Sequence, residues 1–207
     1  MNQTVIVTGT DTDVGKTVFA AALTRALGAH YWKPVQAGDD DGTDRARVAA
    51  LGVPEAMILP EAYCLKTPCS PHRAARIDGV SIDPARLALP RTHGPLVVEG
   101  AGGALVPVTD HILYADVFAQ WRAPAVIVAA TRLGTINHSL MTIEALRARG
   151  VPICGIAFIG DPEPDSEDTI CAIGKVTRLG RLPRLDPLTP AALADAFAAN
   201  FHLKDFA

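Results

Sequence analysis

Nine residues near the start of the chain, Gly9-Thr10-Asp11-Thr12-Asp13-Val14-Gly15-Lys16-Thr17, have the composition of a loop that holds phosphate. A glycine-containing turn that runs into a helix leaves the N–H groups of the first helical turn pointing at an anion. The helix dipole adds favourable charge there. In such a loop Lys16 reaches the β and γ phosphates of a nucleoside triphosphate, and the Thr17 hydroxyl binds Mg²⁺. The spacing departs from the strict G-x-x-x-x-G-K-T form. Counting back from Gly15, the first glycine position holds Thr10, and Gly9 lies one residue earlier. Asp11 and Asp13 sit inside the loop, where a carboxylate would repel a triphosphate. They must therefore face Mg²⁺, a basic group or solvent.

Three more residues have types suited to the same chemistry. Glu99 closes the apolar run P-L-V-V-E and precedes Gly100, which is where a Walker B acid sits beside the metal; it also reads as an acid capping a strand edge. Asp44 is either a second metal ligand, an ordinary helix N-cap, or plain loop polarity after Asp39, Asp40 and Asp41. Mg²⁺ bound with phosphates keeps several waters and needs only one or two carboxylates. Lys33, between Trp32 and Pro34, is either a cation that stabilises phosphoryl oxygens or an exposed strand lysine. His72, after Ser70-Pro71, has no partner identified by spacing and reads as a turn histidine. His138 follows the turn Leu133-Gly134-Thr135, whose N–H groups suit a carboxylate or a simple cap. No Ser-His-Asp or Cys-His set is evident.

These residues need a scaffold that brings them to one place. Residues 4–8 are a β-branched run ending at Gly9, and residues 16–27 carry apolar positions at helical spacing. Further strands are expected over 31–36, 95–99, 125–130, 151–159 and, more weakly, 179–182. Helices are expected near 45–51, 112–121, 136–149 and 190–201. Residues 54–79, with Pro60, Pro68 and Pro71, read as a long loop with short helical pieces, and 161–168 as a polar turn. Short, continuously apolar strands alternating with helices predict an α/β fold, a mainly parallel sheet with helices on both faces. Ligands then gather at the C-terminal edge of the sheet, where the exits near Gly9, Glu99 and Thr131 all lie. Neither a repeat nor a linker is visible, so residues 1–207 are expected to form one P-loop α/β domain.

Composition excludes several other classes. The net charge is -3 and no basic run of five residues occurs, which argues against nucleic-acid binding. The longest apolar stretch, near 124–130, falls far short of the roughly 20 residues that cross a bilayer. No signal-peptide pattern opens the sequence. A cytoplasmic protein with no membrane partner is expected. The four cysteines, Cys64, Cys69, Cys154 and Cys171, form no CxxC pair and are expected to be free thiols.

Together, G-T-D-T-D-V-G-K-T (9–17), K-P-V-Q-A-G (33–38), Asp44, S-P-H-R-A-A (70–75), V-E-G-A-G-G (98–103) and L-G-T-I-N-H (133–138) resemble the dethiobiotin synthetase family over nearly the whole chain. The resemblance implies a P-loop nucleoside triphosphate hydrolase fold and a homodimer. It implies a reaction of 7,8-diaminopelargonic acid with CO₂, using ATP and Mg²⁺. A carbamate forms on one amine, attacks the γ-phosphate to give a carbamic–phosphoric anhydride, and the second amine closes the cyclic urea. It also implies roles for particular residues. Lys16 and Lys33 match the phosphate-binding and catalytic lysines, and Thr12 and Asp13 match loop residues beside the diamine and its carbamate. Thr17, Asp44 and Glu99 match the metal ligands. Asp13, Val14, Gly15, Lys16, Thr17, Val18, Glu99, Gly102, Leu182 and Pro183 are expected to contact the nucleotide. Thr12, Lys33 and Ala37 are expected at the substrate. Leu133, Gly134, Thr135, Ile136 and Asn137 are expected to hold its far carboxylate from the other subunit.

Two positions depart from the family pattern. Ala37 stands where relatives carry a hydroxyl near the substrate, so that hydrogen bond is lost. Ile159 falls on an asparagine that reads the adenine edge, so base selection would rest on backbone groups near Leu182-Pro183-Arg184 and should be loose. The rival reading is a regulatory or partitioning P-loop ATPase that switches partners. Such proteins carry an extra lysine near the start of the loop, where this chain has Asp11, and no N-K-x-D motif supports a GTPase.

Overall fold

The computed structural model describes residues 3–38 and 42–206. In chain order the elements are Thr4–Gly9 (β1), Lys16–Leu27 (α1), His30–Trp32 (β2), Val35–Ala37 (β3), Asp44–Ala50 (α2), Tyr63–Leu65 (β4), Pro71–Ile77 (α3) and Leu96–Gly103 (β5). They continue with Tyr114–Trp121 (α4), Ala125–Ala130 (β6), Thr135–Arg147 (α5), Ile153–Ile159 (β7), Pro164–Gly174 (α6), Arg178–Leu182 (β8) and Pro190–Asn200 (α7). Short 3-10 turns lie at Glu55–Met57, Pro84–Leu87 and Leu203–Phe206.

Six strands form one sheet in the order β2-β5-β1-β6-β7-β8, and every pairing is parallel. Parallel strands need crossovers, so both faces are covered by helices and the strands are apolar throughout. Alternation along β1 divides the core. Val5 and Val7 pack with Phe19 and Leu23 of α1 and Leu193 and Phe197 of α7. Ile6 faces the other way, into the layer holding Phe118 of α4 and Ile143 and Leu146 of α5. Phe19 also meets Phe197 and Phe201 at ring distances of 5.8 and 5.4 Å, which ties the C-terminal helix to the helix after the phosphate loop.

The P-loop α/β class read from the sequence is the fold observed. Three local expectations are corrected. Residues 31–36 are not one strand: the chain leaves the sheet at Lys33-Pro34, because proline has no N–H for the ladder. Val35–Ala37 pairs instead with Tyr63–Leu65 in a separate two-stranded sheet. Residues 54–79 hold the expected short helical pieces, Glu55–Met57 and α3, but also the strand β4, which was not expected; Pro71 opens α3 at a position where its missing N–H costs nothing. His72 is therefore in the first turn of a helix. Residues 164–174 form α6, which takes in most of the 161–168 segment expected to be a turn; Pro164 occupies the first turn, and Glu167 and Ile170 are buried. The polar tripeptide 39–41, part of the segment before α2, lies outside the described residues.

Candidate active site

β1 stops at Gly9 and α1 starts at Lys16, and the intervening turn wraps a point above the sheet edge. Gly9 has to be glycine there. A Cβ would stand 2.9 Å from Asp11 O, Lys16 Cδ and Val14 Cγ2. The missing side chain lets the Lys16 stem fold across the loop, where its ammonium donates to Asp11 O at 2.8 Å. Gly15 takes φ 92°, and a Cβ on it would meet Ile159 Cδ1 at 2.7 Å. So the early glycine and the atypical spacing both serve the lysine. Val14 is buried and anchors the loop in the core.

Thr17, in the first turn of α1, brings three chain segments together. Its hydroxyl lies 2.9 Å from Asp44 Oδ1 and 2.8 Å from Glu99 Oε1. Asp44 can reach it because Thr43, not Asp44, caps α2, with Thr43 Oγ1 accepting from Ala46 N at 3.2 Å. The N-cap alternative for Asp44 is thereby overturned. Lys33 is buried, so the exposed-lysine alternative fails too. Its ammonium donates to Asp44 Oδ2 and lies 3.3 Å from Glu99 Oε1. Glu99 is fully buried and accepts the Tyr31 hydroxyl on Oε2 at 2.8 Å.

The electrostatics follow from this closeness. Burial works against the Lys33 charge, but Glu99 and Asp44 outweigh it and hold its pKa above the ordinary lysine value. Burial would lift the Asp44 carboxyl, yet the Lys33 ammonium and the Thr17 hydroxyl hold it below its usual range. Burial lowers the Lys16 pKa, and Glu99 partly offsets that. Burial and the neighbouring Glu99 raise the Tyr31 phenol far above its ordinary value, so it stays a donor. Asp11 faces bases rather than phosphate: Oδ2 lies 3.6 Å from Arg132 and 4.0 Å from His138 Nδ1.

Lys16, Thr17, Lys33, Asp44 and Glu99 line one cavity of about 710 Å³. Thr12, Asp13, Gly15, Lys16, Thr17, Val18, Lys33, Ala37, Asp44, Glu99 and Gly102 all border it. Three oxygen donors at its floor, from Thr17, Asp44 and Glu99, suit a hard cation such as Mg²⁺. Among the described residues no three His, Cys, Asp or Glu cluster into a metal cage, so such an ion would draw its other ligands from phosphate and water. Leu182 and Pro183 do not border the cavity; Leu182 is buried beside Ile159 in the sheet, and its carbonyl accepts from Gly160 N at 3.1 Å. Leu133, Gly134, Thr135, Ile136 and Asn137 do not border it either. They form the N-terminus of α5 and the turn before it, where Leu133 is fully exposed and no side chain caps the helix.

Sequence reasoning gave no site role to Gln36, Arg47, residues 68–71, Ala101 and Val106, which complete the wall. Gln36 was detectable as an amide in an apolar run; its Oε1 accepts from Asp44 N at 3.2 Å and its Nε2 donates to Gly38 O at 2.8 Å. Tyr31 left no signal, since a tyrosine suits any buried strand.

Comparison with known proteins agrees with this geometry. A family model described as AAA domain matches residues 3–192. The ATP-dependent dethiobiotin synthetase BioD of Novosphingobium aromaticivorans is 69% identical over 203 residues, covering 98% of each chain. The protein of the same description from Rhodopseudomonas palustris HaA2 is 63% identical over 207 residues, covering 100% of this chain and 97% of its own. Among solved structures, the septum site-determining protein MinD complexed with Mg-ADP from Pyrococcus horikoshii superposes with TM-score 0.58 at 15% identity, over 95% of this chain and 86% of that one. A ParA family ATPase from Chlorobium tepidum gives 0.55 at 12%, over 96% and 93%. At such identities those two share the fold and nothing more. With relatives this similar along its whole length and the phosphate loop, lysines and carboxylates meeting in one cavity, the chain belongs to the ATP-dependent dethiobiotin synthetase family.

Proposed function

We propose that this enzyme makes dethiobiotin from 7,8-diaminopelargonic acid and CO₂ with ATP and Mg²⁺, through the residues that meet at this cavity. The observation that carries the reading is the convergence of Lys16, Thr17, Lys33, Asp44 and Glu99 on one space large enough for a triphosphate and a second anion. One amine of the diamine adds to CO₂ and loses a proton, giving a carbamate. A carbamate oxygen then attacks the γ-phosphorus, and ADP leaves as the P–O bond breaks. The second amine attacks the carbamoyl carbon, expels phosphate and loses a proton as the ring closes. Ring closure is intramolecular, so positioning does most of the work and no nucleophilic side chain is needed.

Two anions must approach each other in the first phosphoryl step. The amides at the start of α1 and the Lys16 ammonium hold the phosphates, and Lys33 offsets charge on the transferring oxygens. Mg²⁺, held by Thr17, Asp44 and Glu99, would neutralise charge across the phosphates. Thr12, Asp13 and Ala37 form the substrate side, and Asp13 is exposed at the cavity where it can face an ammonium. Gly15, Val18 and Gly102 lie against the nucleotide, with Val14 supporting the loop. Contacts to the base would come from backbone groups near Leu182, Pro183 and Arg184, outside the cavity wall.

We further propose that residues 1–207 work as one cytoplasmic domain whose substrate site is completed in a homodimer. The exposed turn at Leu133 and the uncapped start of α5, carrying Gly134, Thr135, Ile136 and Asn137, suit a carboxylate from a neighbouring subunit's site. Among the described residues no helix is long and apolar enough to cross a membrane. Phosphate release measured with and without the diamine and bicarbonate tests the activity. The synthetase needs both, and dethiobiotin should appear in step with phosphate. Equal phosphate release without the diamine would instead favour a nucleotide switch.

A further inference from the structure

Glu99 has two carboxylate oxygens with different company. Oε1 receives the Thr17 hydroxyl at 2.8 Å and faces the Lys33 ammonium at 3.3 Å. Oε2 accepts the Tyr31 hydroxyl at 2.8 Å, and Tyr31 does not line the cavity. Both Tyr31 and Glu99 are 0% exposed. Strand register explains how they meet. Tyr31 of β2 pairs with Val97 of β5, and Glu99 lies two residues farther along the same face. The tyrosine side chain spans that offset and delivers its hydroxyl at the sheet edge.

We propose that Tyr31 is a positioning residue for the metal and phosphoryl chemistry: its buried phenol fixes the Glu99 carboxylate so that Oε1 is presented to Thr17, Lys33 and the metal. The proposal rests on Thr17, Asp44 and Glu99 being the metal cradle. Partners of this kind, bonded to a ligand rather than to the ion, set a ligand's orientation and basicity. Without the phenol, Oε2 would be a buried carboxylate oxygen that loses its donor, a costly state that rotation of the carboxylate would relieve. Rotation would take Oε1 off Thr17.

The test measures the affinity of a non-hydrolysable ATP analogue for the full chain with and without saturating Mn²⁺. The ratio of the two affinities is the coupling between metal and nucleotide. Tyr31→Phe keeps the ring and should cut that ratio by about 10- to 100-fold, the range seen for such partners. The metal-free affinity should stay the same. In turnover, the KM for Mg²⁺ should rise more than kcat falls. In a Glu99→Gln background the same substitution should add no more than about twofold, because coupled residues fail to add. Tyr31→Leu, which also loses packing, should melt lower than Tyr31→Phe yet reduce the ratio by the same factor. An unchanged ratio in either folded variant, or an undiminished effect in the Glu99→Gln background, overturns the proposal. If Glu99→Gln alone leaves the ratio unchanged, the metal cradle is wrong and the fault lies there instead.

Discussion

Replacing Lys33 with methionine removes one buried charge while keeping an unbranched apolar stem. The wild-type ammonium is bonded to Asp44 and lies 3.3 Å from Glu99 Oε1, with side-chain exposures of 7% for Lys33, 18% for Asp44 and 1% for Glu99. At 3.3 Å and an effective dielectric of about 20, one such pair attracts by about 5 kcal/mol. Desolvation of the lysine returns part of this. Removing one partner of a buried pair typically costs about 3–5 kcal/mol, because the other charge is left unpaired. At about 2–4 °C per kcal/mol for a chain of this size, the metal-free protein should melt roughly 6–20 °C lower. Mg²⁺ should then stabilise Lys33→Met more than wild type, since the ion no longer competes with a resident cation for Asp44 and Glu99. Phosphoryl transfer should fall by about 10²–10³, the usual loss for one electrostatic donor. The wild-type pKa is raised, so this stabilisation is complete below the unfolded lysine value of about 10.4 and disappears only above it. Melting curves by circular dichroism at pH 7–8, with and without Mg²⁺, read both effects. A melting temperature within about 2 °C of wild type, with an unchanged Mg²⁺ response, would show that the ion network is not formed and refute the reasoning.

Other outcomes follow from the same geometry. Wild type should discriminate between ATP and other triphosphates by less than about a hundredfold in kcat/KM, because one good base contact is worth ~1–3 kcal/mol and Ile159 supplies none. A stronger preference in competition assays would contradict this. Gly9→Ala should abolish measurable nucleotide binding in calorimetry while the protein remains folded, since the added methyl meets Asp11 O and the Lys16 stem at 2.9 Å. Leu133→Glu should weaken dimerisation and raise the diamine KM with nucleotide affinity intact; full activity from a monomer verified by ultracentrifugation would refute the shared site. Asp78 is held below its usual pKa chiefly by the Thr67 hydroxyl, aided by the Lys66 and Thr67 amides. Its contribution is therefore complete above about pH 4 and lost as pH falls through the folded value, so Asp78→Asn should flatten the acid limb of a stability profile.

The sequence alone determined the parts of this protein that depend on neighbours along the chain. The strand, glycine turn and helix around Lys16 follow from periodicity and turn chemistry. So do the strand that carries Glu99, though it runs on to Gly103 rather than ending at the acid, the strand that ends near Thr131, and the parallel sheet that collects their exits at one edge. The five segments and Asp44 that match the synthetase family, from the phosphate loop to L-G-T-I-N-H, identify the family without any geometry. Whatever depends on which segments meet was settled only by the tertiary structure. The burial of Lys33 against Asp44 and Glu99 arises from packing between residues distant in the chain. So does the contact from Tyr31 to Glu99, across 68 positions of sequence. A carboxylate or an ammonium looks the same in a sequence whether it faces water or another charge. The fold chooses between those states, because a charge taken out of water must find its partner in space, and that partner is rarely a neighbour in the chain.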